Sequence, residues 1–362
     1  MNMDKKAPKY LELVAWVKEK IEYGELKSGD KLNSENELSA LFSLSRQTVR
    51  HAISVLENEG LVKRVQGSGT YVCDGRATGN RNRIAVITTY VDGYIFPRMI
   101  QQVEKQLFER GYSVQIAFTN NQVEREREIL KSLLKQDDIA GIIMEATKSG
   151  LPNPNLGLFK EVMKRRVPIL FVNSYYRELK APHVSLNDKM AAKKMVEYLI
   201  NQGHKKIGGI FKLDDGQGHL RYSGYMEAMN QANLETEDER VVWFDTKDFR
   251  HLETSKDRII KSMKDCTAFL CYNDEVAFSV VEMLKKQHIN VPKDISIAGI
   301  DDSDLATISD IKITSVANPI EEIGIMAVNN LIGMINNLDF NGNYEFDCEI
   351  KERNSVRCIN GE

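Results

Sequence analysis

Arg46, Gln47, Thr48 and Arg50 stand together in the stretch S-R-Q-T-V-R at residues 45–50. If this stretch is helical, Arg46 and Arg50 lie four residues apart and project from the same face. Such a face fits the major groove of DNA, where Arg can pair twice with guanine and Gln twice with adenine. On an isolated helix the same residues would be an ordinary solvated surface. The neighbouring segments favour the first reading. Ser34-Glu35 open another helix, whose first amides would suit a phosphate. There Glu35 could accept from a cytosine or simply complete the cap. Ser45 can cap the helix that carries the arginines. Gln66, Gly67, Ser68 and Gly69 lie between two short strands. Their glycines would let a hairpin approach the minor groove closely, although a plain tight turn explains them equally well.

A second group of residues has a different chemistry. Small polyols are held by several hydrogen bonds and an apolar plate against their C–H face. Tyr94 and Phe96 follow the first apolar run after residue 83, Glu145 and Lys148 the third, and Asn173, Tyr175 and Tyr176 the fourth. Arg221 lies shortly after F-K-L-D-D-G-Q-G at residues 211–218, and Asn273 and Asp301 end later runs. Glu145, an acceptor-only carboxylate when ionised, suits sugar hydroxyls. Each has a plainer alternative. Phe96 can be core, Asn273-Asp274 can be a helix cap, and Asp301, Asp302 and Asp304 can form a solvated turn. A divalent ion on those aspartates would lack a spaced ligand loop, so no metal is expected.

These residues need elements to position them. Residues 10–23 have a helical period, with Leu11, Val14, Ala15, Val17 and Ile21 on one face. Ser34 with Glu37 forms a capping box for a second helix bearing Leu38, Leu41 and Phe42. Val49, Ala52, Ile53 and Leu56 give the third helix its buried stripe, and strands at 61–65 and 70–72 make a wing. Residues 74–83, D-G-R-A-T-G-N-R-N-R, have no apolar group larger than Ala and read as a flexible basic linker. Beyond it, strands are expected at 84–89, 113–118, 140–145, 168–173, 206–211, 268–272, 295–300 and 313–317. Helices are expected near 97–110, 122–136, 156–166, 187–202, 219–232, 253–264, 274–288 and 319–337. Short apolar runs alternating with helices mean βαβ units, and four strands followed by four more suggest two doubly wound lobes around a cleft. Ligands in such sheets bind outside the carboxyl ends of the strands.

Bulk composition narrows the functional class. The chain has 362 residues, enough for two or three domains, with 42% hydrophobic and 28% charged residues, the profile of a soluble globular protein. Its net charge of −3 does not announce a nucleic-acid binder. Residues 1–73 carry eleven Lys/Arg against ten Asp/Glu, so any DNA contact must come from local placement. The longest apolar runs are far below a membrane span. Residues 1–8 contain no signal-peptide core, so a cytoplasmic location is expected. Five cysteines at 73, 266, 271, 348 and 358 have no zinc-ligand spacing and are expected as free thiols. A secreted sugar carrier would need an export signal and no DNA-reading head. Enzyme chemistry would need a signature that is absent: there is no nucleophile elbow, Walker loop or HExxH, and no Gly-x-Gly-x-x-Gly after the strand at 84–89. A ligand-responsive regulator without cofactor is the expectation.

Residues 9–73 resemble the winged-helix domain of the GntR repressors through K-L-N-S-E-N-E-L, S-R-Q-T-V-R-H-A, L-E-N-E-G-L-V and Q-G-S-G-T-Y-V. Asn33 stands where that family commonly has proline. Residues 84–358 resemble the effector domain of the LacI family, itself similar to periplasmic sugar-binding proteins, through N-D-E-V-A, G-I-D-D-S and I-T-S-V. A GntR head on a LacI body resembles the arabinose-utilisation repressors. T-T-Y-V-D-G-Y-I-F-P, E-A-T-K-S, G-I-F-K-L-D-D-G-Q-G and L-C-Y-N-D-E are similar to segments of that group. The resemblance implies an α/β fold: an N-terminal winged helix-turn-helix (1–73), a linker (74–83) and a two-lobed periplasmic-binding-protein-like body (84–362). It implies operator contacts for Glu35, Arg46, Gln47, Arg50 and Gln66, backbone contacts for Lys9 and Tyr10, and ligand roles for Asn173, Arg221, Asn273 and Asp301. It further implies L-arabinose as effector, with xylose, galactose or a sugar phosphate as alternatives. The implied partner is operator DNA bound by a homodimer, with the helices near 97–110 and 319–337 as candidate contacts between subunits. No hinge helix is visible in the linker.

Overall fold

The computed structural model describes residues 9–27, 29–58, 61–65, 67–72, 81–90, 94–249, 255–337 and 339–360. Two compact units divide at Asn82 and Arg83. Most of the expected linker, with Gln66 and Cys73, lies outside the described residues.

The first unit has three helices and a hairpin: α1 (Tyr10–Glu22), α2 (Glu35–Phe42), α3 (Arg46–Asn58), β1 (Val62–Val65) and β2 (Gly69–Val72). β1 and β2 pair antiparallel from Val62↔Val72 to Val65↔Gly69. Gly67 and Gly69 take φ of +74° and +130°, which glycine adopts without strain. The capping box forms as expected: Glu37 N–H donates to Ser34 Oγ at 3.3 Å, and Ser34 N–H to the Glu37 carboxylate at 2.7 Å. All four residues of the α3 stripe are buried, around Leu13, Val14, Val17, Leu32 and Leu38. Two α1 residues depart from expectation. Leu11 and Ala15 face outward, while Leu13 is buried and Trp16 packs its edge on Phe42 at 5.4 Å between centroids. Leu41 of α2 is also exposed.

In the second unit the elements run β3 (Arg83–Thr88), α4 (Phe96–Phe108), β4 (Ser113–Phe118), α5 (Val123–Leu133), β5 (Ile139–Met144), α6 (Leu156–Lys164), β6 (Ile169–Val172) and β7 (His183–Leu186). The chain continues through α7 (Asp188–Asn201), β8 (Ile207–Lys212), α8 (Gly216–Gln231), β9 (Val241–Phe244), α9 (Thr246–Phe249), α10 (Lys256–Ser262), β10 (Ala268–Cys271), α11 (Asp274–Lys286), β11 (Ser296–Asp301) and β12 (Thr314–Ala317). It ends with α12 (Ile320–Asn336), β13 (Tyr344–Phe346) and β14 (Ile350–Lys351). Two six-stranded sheets result, ordered β13-β7-β6-β5-β3-β4 and β14-β12-β11-β10-β8-β9. All pairings are parallel except β12 with β14. β5 is buried along its whole length, as a parallel strand covered on both faces should be.

The expected doubly wound pair of lobes is present. Four short strands, β7, β9, β13 and β14, were not expected. The lobes are also not consecutive in sequence: α12 returns to the first lobe, where Ile323, Ala327 and Leu331 share a core with Val103 and Leu107 of α4. A Cβ on Gly324 would meet Met99 O at 3.2 Å, so glycine permits this close crossing. The two helices expected as contacts between subunits thus pack on each other within one lobe. Among the described cysteines, Cys266, Cys271 and Cys348 are buried free thiols and Cys358 an exposed one.

Each sheet reverses its strand order once, between β3 and β5 in one lobe and between β8 and β10 in the other. The loops leaving these four strands carry the second site. This is where an open α/β sheet places its ligands.

Candidate functional site

On the head, α3 begins at Arg46 because Ser45 Oγ accepts the Thr48 N–H at 3.1 Å. Thr48 Oγ1 lies 2.8 Å from the same oxygen. Thr48 is half-buried in making that cap, while Arg46, Gln47 and Arg50 are exposed. Arg50 Nε donates to Glu35 Oε2 at 2.8 Å, tying the start of α2 to the reading face of α3. Its guanidinium side chain remains 66% exposed, so the pair orients more than it stabilises. Arg64 on β1, not singled out from sequence, reaches Arg50 O at 2.9 Å and Ser54 Oγ at 3.0 Å and pins the wing to α3. Tyr10 lies edge-on to His51 of α3 at 4.5 Å between centroids, and Lys9 is exposed just before it. Ser68 Oγ meets Tyr71 OH at 2.6 Å across the wing, beside the exposed Gly67 and Gly69. Two cationic groups, an amide and a capped helix start therefore share one surface, the kit for reading base edges and phosphates.

On the body, a cavity of about 310 Å³ opens between the lobes. Tyr94, Phe96, Glu145, Lys148, Asn173, Asn273 and Asp301 all line it. Asn173 sits at φ +59°, is buried, and its Oδ1 has no hydrogen-bond partner among the described residues. Asn273 Oδ1 accepts Val276 N–H at 3.0 Å, so it caps α11 while bordering the cavity. Thr89 N–H donates to Glu145 Oε2 at 2.9 Å, and the Thr89 hydroxyl to the same oxygen. Burial pushes the Glu145 carboxyl up to about 7, a rise that the Thr89 bonds partly oppose.

Two sequence candidates lie behind the wall rather than on it. Tyr176 is fully buried, and its hydroxyl serves Glu126 and the Thr147 backbone, with the Thr147 O bond at 2.8 Å. Arg221 is 1% exposed and bonds Asp188 at 2.7 Å, Asp301 at 3.1 Å and Tyr272 O at 2.5 Å. Through these bonds it holds Asp301, which does line the cavity. Burial raises Asp188 to about 6 even with Arg221 opposing it. Tyr175 stacks on His183 at 3.8 Å, away from the cavity lining.

The sequence reading missed a cluster on the second lobe. Lys212 lies 3.6 Å from Asp215, and Tyr272 OH donates to Asp215 at 2.7 Å. Burial alone would raise Asp215, but Lys212, Tyr272 and Ser149 outweigh it and hold the carboxyl below its ordinary range. Phe244 adds an apolar wall. The D-D-G-Q-G run between a strand and a helix was the available signal. Bonds across the cleft close its rim: Asn121 Nδ2 to Thr246 Oγ1 at 2.6 Å and Ser149 Oγ to Asp215 Oδ1 at 2.9 Å. The set of carboxylates, amides, two lysines and aromatic faces suits a small polyhydroxylated ligand. No group of three potential metal ligands occurs among the described residues.

A winged helix-turn-helix head and a two-lobed α/β body with a polar cavity have the build of a transcriptional regulator. Residues 9–72 match the bacterial regulatory proteins of the gntR family, and residues 196–356 match the periplasmic binding protein-like domain. The arabinose metabolism transcriptional repressor of Geobacillus stearothermophilus is 35% identical over 98% of this chain and 100% of its own length. That of Halalkalibacterium halodurans is 36% identical over 90% and 89%. The chain belongs to this family of transcriptional repressors of sugar metabolism, and is a regulator rather than an enzyme. Among solved structures, the transcription regulator CcpA of Lactococcus lactis superposes with a TM-score of 0.68 at 22% identity, over 76% of this chain and 99% of that one. This last likeness speaks for the fold.

Proposed function

We propose that the chain represses genes of sugar use by binding a two-fold operator as a homodimer, and that L-arabinose in the inter-lobe cavity releases it. The head at 1–73 reads DNA, the body at 84–362 binds sugar and dimerises, and residues 74–83 join them. Cleft closure by the sugar rotates the lobes, and the paired heads lose their half-site spacing. A ligand can do this only through different affinities for the two states. A DNA-binding role places the protein in the cytoplasm.

The observation that carries the sugar reading is a cavity lined by Glu145, Asp215, Asp301 and Asn173, whose buried Oδ1 has no hydrogen-bond partner among the described residues. Acceptors in this number suit ligand hydroxyls. Lys148 and Lys212 on the rim favour a sugar phosphate as the second reading. Operator affinity of the purified chain, measured by fluorescence anisotropy against L-arabinose, xylose, galactose and their phosphates, decides between them. Arabinose alone should release the DNA. Release by none of these sugars ends the proposal.

A further inference from the structure

A second cavity of about 320 Å³ adjoins the first, and the two share Tyr94, Ile95 and Asp301 in their linings. The tyrosine is held firmly there. Its hydroxyl donates to Asp301 Oδ2 at 2.6 Å and accepts the Asp274 N–H at 3.3 Å, so a first-lobe side chain is anchored on the second lobe. Its backbone takes φ of +56°, a left-handed conformation unfavourable for a bulky residue. A strained aromatic kept in one place by two bonds is a feature that invites a functional reading.

The second cavity is chemically prepared for more of the same ligand class. Asn318, 9% exposed, gives Nδ2 to Asp301 Oδ1 at 3.1 Å and leaves its buried Oδ1 without a hydrogen-bond partner among the described residues. Asp302, Asp304, Glu321 and Glu322 add acceptors, Arg98 a donor, and Ile95 and Pro319 an apolar plate. Asp302 is tied to Arg353 and Asp304 to Arg98, so these two carboxylates are neutralised in place.

We infer that Tyr94 is the size-selecting partition of the effector site: it confines the ligand to one sugar ring and shuts off a second, polar compartment that would otherwise take a disaccharide. This rests on the sugar reading above and names a residue that sets its specificity. The cleft-side compartment holds about 310 Å³, and opening the shared wall would join it to the second, about 320 Å³. Glycine at position 94 would both open the wall and suit the positive φ, so Tyr94→Gly should remain folded.

The test is isothermal calorimetry on the full chain with L-arabinose and with the disaccharide arabinobiose, beside a thermal melt. Wild type should bind the monosaccharide and reject the disaccharide. Tyr94→Gly should shift the disaccharide-to-monosaccharide affinity ratio by at least about tenfold toward the disaccharide. Tyr94→Ser gives the same readout if the glycine variant melts early. Disaccharide binding by wild type, or an unchanged ratio in a folded variant that still binds arabinose, overturns the inference alone. Binding of neither sugar by wild type or variant removes the sugar reading and the partition together.

Discussion

Glu145 is the titrating residue that most directly links fold and site. Its carboxyl is raised from an ordinary 4.5 to about 7 by burial. The folded state therefore holds the proton more tightly than the unfolded chain. This contribution to stability is full below about pH 4.5 and is lost as pH rises through about 7. Across that window it amounts to at most about 3 kcal/mol. Glu145→Gln, which cannot ionise, should lose less stability than wild type between pH 5 and pH 8 in urea denaturation. Parallel curves for the two proteins would show that Glu145 does not titrate in this range. On the head, Arg46→Ala should cost about 1–3 kcal/mol of specific operator binding and leave scrambled DNA little changed. A uniform loss on both duplexes would mark a phosphate contact instead. Residue types were legible here because charge and amide groups have few roles at a helix start. Directions were less so. Tyr176 follows β6 and Arg221 lies on the first turns of α8, yet both are buried behind the cavity lining, because position in the chain does not state which wall a side chain joins.

At the level of elements, alternation and caps carried most of the information. The stripe of α3 was plain from Val49, Ala52, Ile53 and Leu56, whose spacing of three, one and three fits only a period of about 3.6. β13 and β14 were not legible: three and two residues long, they have no period to read. α1 was misjudged by part of a turn, because Leu11 and Leu13 flank the Val14–Val17 stripe on opposite sides and only packing decides which is buried. The D-D-G-Q-G turn shows what local sequence hides. A Cβ on Gly218 would lie 2.0 Å from Lys212 O, so α8 can start against the end of β8 only with glycine there. That contact sets Lys212 and Asp215 at the cavity. Gly218→Ala should destabilise the body by about 1–3 kcal/mol or more, read by chemical denaturation. It should also weaken effector binding, since the backbone that presents Asp215 must move. A variant as stable as wild type would mean that the β8–α8 junction yields freely.

For the whole molecule, the proposed function requires that closing the cleft and holding DNA oppose each other. Ser149 isolates this coupling because it does not line the cavity, yet its Oγ donates to Asp215 at 2.9 Å and accepts the Gly216 N–H at 2.9 Å across the lobes. Ser149→Ala removes both bonds from the closed state, and neither can form when the lobes separate. At roughly 0.5–1.5 kcal/mol each, their loss should raise the sugar concentration needed for release by about 5- to 150-fold. Operator affinity without sugar should stay the same or rise slightly, since the open state is favoured. Reciprocity adds a second check: bound operator must weaken sugar binding by the same factor by which sugar weakens operator binding. Anisotropy and calorimetry on both proteins measure all four quantities. If Ser149→Ala releases DNA at the wild-type sugar concentration, closure at this rim does not drive release, and the signal must pass through the lobes by another route.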